Sequence, residues 1–426
     1  MKNKTTTITI VNWAGINTGD DAIFSSLLDI IRGKITGDLK IYVLADDEKI
    51  IKIKYNIEDS IRIFEFYKFR NIQKVIEFLK KTNLIIYGGG DLINGNLHSM
   101  IFLLLAEILG LPVICCSVGA IPIKSQLKKF FTKLVLDNMK FITVRDEQSK
   151  HFLDSLNIKN PPIYIVNDLA FLLKPNLHQN EILNIINDKT NKSKINIGIN
   201  VRPPGHMYSF YSSWNKDKIN KIIAIVCDKV IDKYKAKIIF LPMVIRKRLK
   251  HYHTDLISDD KLSHEIIKLM KNKTNTVVIE EDYNPRDILG LISKIDLVIA
   301  MRLHALLLAS NVGVPIIALS YSPKIDSFMD LLKQTKYCIP VNNLNQNKFL
   351  KLIDKRIKNK EEKILISKHL SKKTAEINGD MIIKTLNNTR KNIWRFYLLL
   401  PSIIIVSLIW NILTWTNRFI NIFRWN

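Results

Sequence analysis

Acidic residues are scarce in this sequence. Its 426 residues include 39 Asp and Glu against 64 Lys and Arg, a net charge of +25. Such an imbalance calls for an anionic partner. Nothing resembles an aromatic RNA-binding motif or a zinc finger, and the excess is mostly Lys spread through Asn- and Ile-rich sequence, so nucleic acid is not the expected partner. Cysteine is also sparse. Cys115, Cys116, Cys227 and Cys338 have no metal-ligand spacing, and three of them lie in or beside apolar runs. They read as buried thiols in a reducing compartment. No secretory signal is expected, because residues 5–13 alternate as a strand does and offer no small-residue cleavage site. Neither GxGxxG nor a P-loop is present.

What is present is a recurring theme of strand, polar tip and helix. Residues 7–13 (TITIVNW) predict a strand. The loop AGINTGDD at 14–21 follows, then an apolar helix over 22–31 with Asp20 or Asp21 as its cap. Such a loop suits a phosphate, or a tight turn with no ligand. Residues 83–87 predict a strand running into Gly88, Gly89, Gly90 and Asp91. Glycines here would let the backbone approach a ligand closely. Asp91 would either take a proton from a hydroxyl or cap the next helix. Strands over 39–44, 113–118, 141–144 and 164–166 complete a doubly wound α/β domain, with Arg145 and Asp168 at strand tips. Residues 175–193 read as a polar linker with one short helix. A second α/β domain then begins at INIGINV (195–201), delivers Arg202, and has strands over 236–241 and 277–280. Residues 348–386 are Lys-rich at helical spacing and read as a solvated helix face.

The stretch 296–323 is the most informative. Its apolar strand ends at Arg302, Leu303 and His304, a small-residue helix follows, and a second buried strand covers 314–319. This is the length of a right-handed βαβ unit. Ligands of open α/β sheets bind outside the carboxyl ends of the strands. An Arg, a His and a helix N-terminus at that point suit a small anion.

The end of the chain differs in kind. Residues 396–417 carry no charge between Arg395 and Arg418. As a helix they would reach about 33 Å, against a hydrocarbon core of about 30 Å. Trp394, Tyr397, Trp410 and Trp415 lie near the ends, as interfacial aromatics do, while Pro401 and Asn411 leave an in-plane helix as the alternative. The Lys-rich run before this segment points to anionic lipid.

Taken in order, NTGDDAI (17–23), YGGGDLI (87–93), VRDEQS (144–149), NDLAF (167–171), NVRP (200–203) and MRLHALLLASNVGVPIIALSYSPKI (301–325) resemble the polysaccharide pyruvyl transferases. The likeness is greatest to the branch acting on bacterial cell-wall polysaccharide. It covers about residues 1–330, and the tail lies outside it. The resemblance implies two Rossmann-like domains facing each other across a cleft, as in GT-B glycosyltransferases: an acceptor-side domain over 1–175 and a donor-side domain over 195–390; the uncharged segment itself adds a membrane-associated tail over 393–423. It implies phosphoenolpyruvate as donor, a sugar or lipid-linked glycan as acceptor, and a pyruvate ketal as product. The C-terminal segment, outside the resemblance, would attach the protein to the cytoplasmic face of the membrane, and a homo-oligomer is compatible.

The residues fit that chemistry. Arg202 and Arg302 can each bind carboxylate or phosphate bidentately, with Leu303 beside them. His304 can protonate the vinyl carbon, since histidine titrates near neutrality. Asp91 would deprotonate or orient the attacking hydroxyl. Asn17, Asp20, Gly89 and Gly90 would hold the acceptor or line the cleft. No cofactor or metal is expected, because arginines already neutralise the phosphate; His251 and His253 read as solvated. Two other readings compete: a GT-B glycosyltransferase using a nucleotide sugar, and a non-catalytic membrane-bound sugar-binding protein.

Overall fold

The computed structural model describes residues 5–45, 48–62, 69–178, 180–186, 194–204, 214–249, 258–359 and 368–388. The tail over 393–423, His251 and His253 lie outside the described residues. Among the described residues no helix is long and apolar enough to cross a membrane.

Two parallel sheets organise the chain. The first contains β1 (Thr6–Val11), β2 (Leu39–Ala45), β3 (Asp59–Arg62), β4 (Leu84–Gly88), β5 (Val113–Val118), β6 (Phe141–Val144) and β7 (Ile163–Ile165). Their order is β3-β2-β1-β4-β5-β6-β7. The second contains β8 (Ile195–Asn200), β9 (Ala236–Phe240), β10 (Thr276–Val278), β11 (Leu297–Ala300), β12 (Ile316–Ser320) and β13 (Cys338–Pro340), ordered β10-β9-β8-β11-β12-β13. The strand order reverses at β1/β4 in one sheet and at β8/β11 in the other, so each has a switch point of the kind where doubly wound sheets bind ligands. Register at these points is fixed by Val11 opposite Tyr87 and by Ala300 opposite Asn200. Helices cover the sheet faces, so the central strands are apolar on both sides; every residue of β4, β5, β11 and β12 is buried.

The chain forms two compact units. The first takes in the described residues of Met1–Gly15, Ile23–Leu169 and His369–Asn426, and the second those of Ile16–Ala22 and Ala170–Lys368. This corrects the expected boundaries of 1–175 and 195–390 in two places. The NTGDD turn groups with the second unit. The last described helix, Lys368–Asn388, belongs to the first unit. Its buried polar residues explain why: Thr143 Oγ1 donates to Asn378 Oδ1 at 2.7 Å, and the Asn167 N–H donates to Thr374 Oγ1 at 2.9 Å. The solvated reading of 348–386 therefore holds for only part of that span. Of the expected linker, Asn176 is tied to the helix Pro285–Ile292 by its N–H to Arg286 O at 2.9 Å and by its side-chain amide to Asp287 at 2.7 Å.

The core of the first unit runs through Val11, Leu44, Ile85, Tyr87, Phe102, Val113 and Val144. One carboxyl group sits awkwardly beside it. Glu107, on the helix Leu97–Ile108, has no hydrogen-bond partner for either buried oxygen among the described residues. Burial pushes its carboxyl from the ordinary 4.5 up to about 8, against an opposing pull from Lys140. A folded-state value above the unfolded one means that the favourable protonated form is fully present below about pH 4.5 and is lost as pH rises through about 8. Stability should fall across that window by a few kcal/mol at most, since each pH unit between the two values corresponds to about 1.4 kcal/mol. Glu107→Gln should flatten the dependence. Urea midpoints measured across the window check this, and an unchanged slope in the variant would assign the dependence elsewhere.

Candidate active site

Two polar clusters stand at carboxyl ends of strands, one in each unit.

In the second unit, β8 ends at the buried Asn200. Its side-chain amide donates to Leu241 O at 2.8 Å, and its Oδ1 accepts the Arg302 N–H at 2.9 Å. Asn200 thus clamps the start of the helix Leu303–Asn311. Arg302 is the N-cap of that helix, in extended conformation, and no side chain caps it. The guanidinium of Arg302 is not open on both edges, as expected from the sequence. Its Nε and Nη2 bind both oxygens of Asp259 at 2.6 Å. Asp259 is fully buried and also accepts the Met243 and Val244 N–H groups at 3.0 and 3.2 Å. Burial pulls the Arg302 guanidinium down, but Asp259, Tyr321 and Asp20 outweigh it, and the net displacement is upward. Arg302 is therefore a permanent cation held in one orientation, with Nη1 the nitrogen left off the Asp259 fork. Leu303 is half-buried beside it.

Arg202 lies just beyond β8. Its guanidinium donates to the Tyr321 hydroxyl and stacks 4.5 Å from the Tyr321 ring centroid, and Trp214 lies 5.6 Å from that ring. The stack fixes the plane of a second cation.

The imidazole of His304 rests against Gly19. A Cβ at position 19 would come within 2.3 Å of its Cγ and Nδ1, so only glycine fits beneath the ring. This explains the Gly of NTGDD, and no spacing in the sequence could have revealed it. The turn is docked by its neighbours. The Thr18 N–H donates to Met243 O at 2.8 Å, and Asp21 pairs at 2.9 Å with the buried Arg248, which also binds Asp282. Asn17 is the cap of the helix Thr18–Lys34: its Oδ1 accepts the Gly19 N–H at 2.8 Å and its carbonyl the Asp21 N–H at 3.0 Å. The expected cap, Asp20 or Asp21, is corrected, because that helix starts four residues earlier than expected. Asn17 and Asp20 were assigned to an acceptor-side domain; they group instead with His304 and Arg302.

In the first unit, Asp91 follows β4 and meets Arg145 at the tip of β6. Arg145 is buried; its Nη2 binds Asp91, its Nη1 binds Asp168 at 2.9 Å, and its Nε lies 3.5 Å from Asp146. Burial pulls this guanidinium down, and the carboxylates of Asp91, Asp168 and Asp146 more than offset it. Residues from three separate motifs are thus joined. Asp91 does not cap the next helix, because Asn96 does so by accepting the His98 and Ser99 N–H groups. Gly89 and Gly90 both have φ of +75° and are buried. The space at Gly89 is claimed by Ile23, whose Cγ2 would lie 1.9 Å from an added Cβ. Helix packing is thus one reason for glycine at this position.

Among the described residues no group of three or more His, Cys, Asp or Glu could hold a metal ion. The thiols of Cys115, Cys116 and Cys227 are buried and pushed up by that burial, as inert core thiols are.

The sequence pattern of the polysaccharide pyruvyl transferases matches residues 17–323, which include both clusters. The chain belongs to that family. It is accordingly a transferase of polysaccharide pyruvylation in the general sense of its family. No curated protein matches this transferase significantly. Among solved structures it is similar to the UDP-GlcNAc 2-epimerase of Methanocaldococcus jannaschii, at 16% identity and a TM-score of 0.59 over 89% of this chain and 100% of that one. It is also similar to the Neisseria meningitidis UDP-GlcNAc 2-epimerase bound to UDP-GlcNAc, at 13% identity and a TM-score of 0.55 over 90% and 100%. At such identities the likeness concerns fold alone: an α/β architecture of two parallel sheets with GT-B-like neighbours.

Proposed function

We propose that this transferase moves the pyruvyl group of phosphoenolpyruvate onto a sugar of a cell-surface polysaccharide or its lipid-linked precursor, leaving a pyruvate ketal. The observation that carries this reading is the grouping of Arg202, Arg302 and His304 at the carboxyl ends of β8 and β11, beside the uncapped start of the helix Leu303–Asn311. Phosphoenolpyruvate presents a carboxylate and a phosphate. Two cations held in fixed planes by Tyr321 and Asp259 suit those groups, and helix N–H groups add donors.

In the proposed reaction, His304 gives a proton to the vinyl CH₂, which becomes a methyl group. One sugar hydroxyl attacks the adjacent carbon, and the proton it loses returns through solvent to His304. The C–O bond to phosphate breaks, and a second hydroxyl closes the ketal, its proton leaving with phosphate. The arginines balance the phosphate charge, so the mechanism calls on no metal or cofactor. Asp91, fixed by Arg145, orients an acceptor hydroxyl. Leu303, Asn17 and Asp20 border the donor, and Gly89 and Gly90 are candidates at the acceptor. Attachment through residues 393–423 to the cytoplasmic face of the membrane belongs to the same proposal.

The test is release of phosphate from phosphoenolpyruvate in the presence of an amino-sugar diol, with mass spectrometry of the product. The expected result is phosphate release together with a product heavier by one ketal. Release of nucleotide from a sugar nucleotide, without phosphate release from phosphoenolpyruvate, would replace this reading with glycosyl transfer.

A further inference from the structure

Arg202, Arg302 and Tyr321 stand at the ends of three strands of the second sheet: β8 ends at Asn200, β11 at Ala300 and β12 at Ser320. β11 lies between the other two, so the ends of β8 and β12 are two strand spacings apart, about 10 Å. Yet the Arg202 guanidinium stacks 4.5 Å from the Tyr321 ring centroid and donates through Nη1 to its hydroxyl. The two side chains therefore reach toward each other across the end of β11, where Arg302 begins the helix Leu303–Asn311. The backbone under this bridge is held in place: the Arg202 N–H meets Met301 Sδ at 3.5 Å, and Ala300 is in register with Ala318. Tyr321 is also near enough to Arg302 to act on its charge.

The direction of the Arg202–Tyr321 hydrogen bond is informative. A phenol has one proton to give and lone pairs to accept with. Here the oxygen accepts from Arg202, and among the described residues its proton meets no acceptor. To hold the guanidinium plane, the ring face alone would serve, and phenylalanine has that face too. The hydroxyl adds a donor. Accepting from a cation polarises the O–H and strengthens it toward a further acceptor.

We propose that the Tyr321 hydroxyl donates to the phosphoryl group of phosphoenolpyruvate, beside Arg202 and Arg302. The inference rests on the pyruvyl-transfer reading and adds to it a neutral residue that touches the substrate. Donors from three strand ends surround one point from different directions. That suits the three terminal oxygens of a tetrahedral phosphoryl group better than the two coplanar oxygens of a carboxylate. The phenolic proton stays on Tyr321 throughout. Its hydrogen bond tightens as the C–O bond to phosphate breaks and charge gathers on the departing oxygens.

The test uses the full chain. Tyr321→Phe keeps the ring against Arg202 and removes the hydroxyl. It should lower kcat/KM for phosphoenolpyruvate by about tenfold to a hundredfold, the scale of one hydrogen bond to a charged group. Affinity for inorganic phosphate, read by calorimetry, should fall by a similar factor, while affinity for pyruvate, which has only the carboxylate, should hold. Equal losses for phosphate and pyruvate would reduce Tyr321 to a support for Arg202 and overturn the proposal. A second measurement separates donating from supporting. With 3,5-difluorotyrosine at position 321 the phenol ionises at a lower pH. A phenolate accepts from Arg202 more strongly but has no proton to give, so kcat/KM should be lost on the alkaline side at a lower pH than in the native chain. The charged groups around the phenol are the same in both proteins: Arg202 and Arg302, with Asp259 and Asp20 acting on Arg302, and His304 at the next helix start. Identical pH profiles would overturn the proposal. A wild-type chain that neither binds phosphoenolpyruvate nor releases phosphate from it would remove the pyruvyl-transfer reading itself, whereas native turnover and phosphate affinity in Tyr321→Phe would remove this inference alone.

Discussion

His304→Ala should lower turnover by about 10²–10⁴-fold, the usual contribution of a positioned general acid, while phosphoenolpyruvate still binds. The substitution is structurally mild. The ring occupies the first turn of a helix and lies over a glycine, so its removal leaves space above Gly19 and forces no backbone movement. The cations that would hold the donor keep their own supports, Tyr321 for Arg202 and Asp259 for Arg302. Turnover and the donor KM therefore separate the two roles a histidine could have here. A large fall in turnover with KM little changed fits a proton donor. A raised KM at undiminished turnover would make His304 a binding group, and wild-type values of both would end the mechanism proposed above.

Arg302→Ala should be a folding defect before it is a binding defect. Its partner Asp259 is fully buried, and both carboxylate oxygens bind the guanidinium. Removing one member of such a pair leaves an uncompensated buried charge, at a cost of about 3–5 kcal/mol. The two backbone N–H groups on Asp259 soften that cost without cancelling the charge. Urea unfolding should show the loss directly, and donor affinity is then read on the folded fraction. The Arg302→Ala/Asp259→Ala double variant should be less destabilised than the sum of the two single variants, because each single change strands the other group. Additive losses, or a loss in Arg302→Ala below about 1 kcal/mol, the scale of an exposed pair, would show that the pair contributes little to the fold.

The central strands were legible in the sequence because parallel strands buried on both faces read as continuous apolar runs. The expected spans at 113–118 and 141–144 coincide with β5 and β6. Of the four edge strands, β7 and β10 were legible to within two residues and β3 and β13 were not. β3 is DSIR and β13 is CIP, too short and too polar or proline-bearing to carry a pattern. In the site, the residue types were readable and their partners were not. Arg302 and His304 announced themselves by standing after an apolar strand. Asp259 did not, since Ser258-Asp259-Asp260 at the start of a helix is what helix capping alone would produce. Gly19 and His304 meet only through the tertiary fold, and a single sequence carries no trace of that meeting. The same holds for Asp91, Arg145 and Asp168, each visible as a strand tip and none visible as a cluster.

The helix Lys368–Asn388 gives the first unit a history in time. The ribosome makes β1 through β7 early, yet Thr143 and Asn167 find Asn378 and Thr374 only after some two hundred further residues have emerged. During synthesis those buried polar groups must wait, solvated or shielded by something else, while the whole second sheet is made. Vectorial folding of the first unit therefore cannot finish before the second unit has been translated. A nascent chain arrested between the two would expose the seat of that helix, which makes it a place for a chaperone to bind and a point of vulnerability to proteolysis.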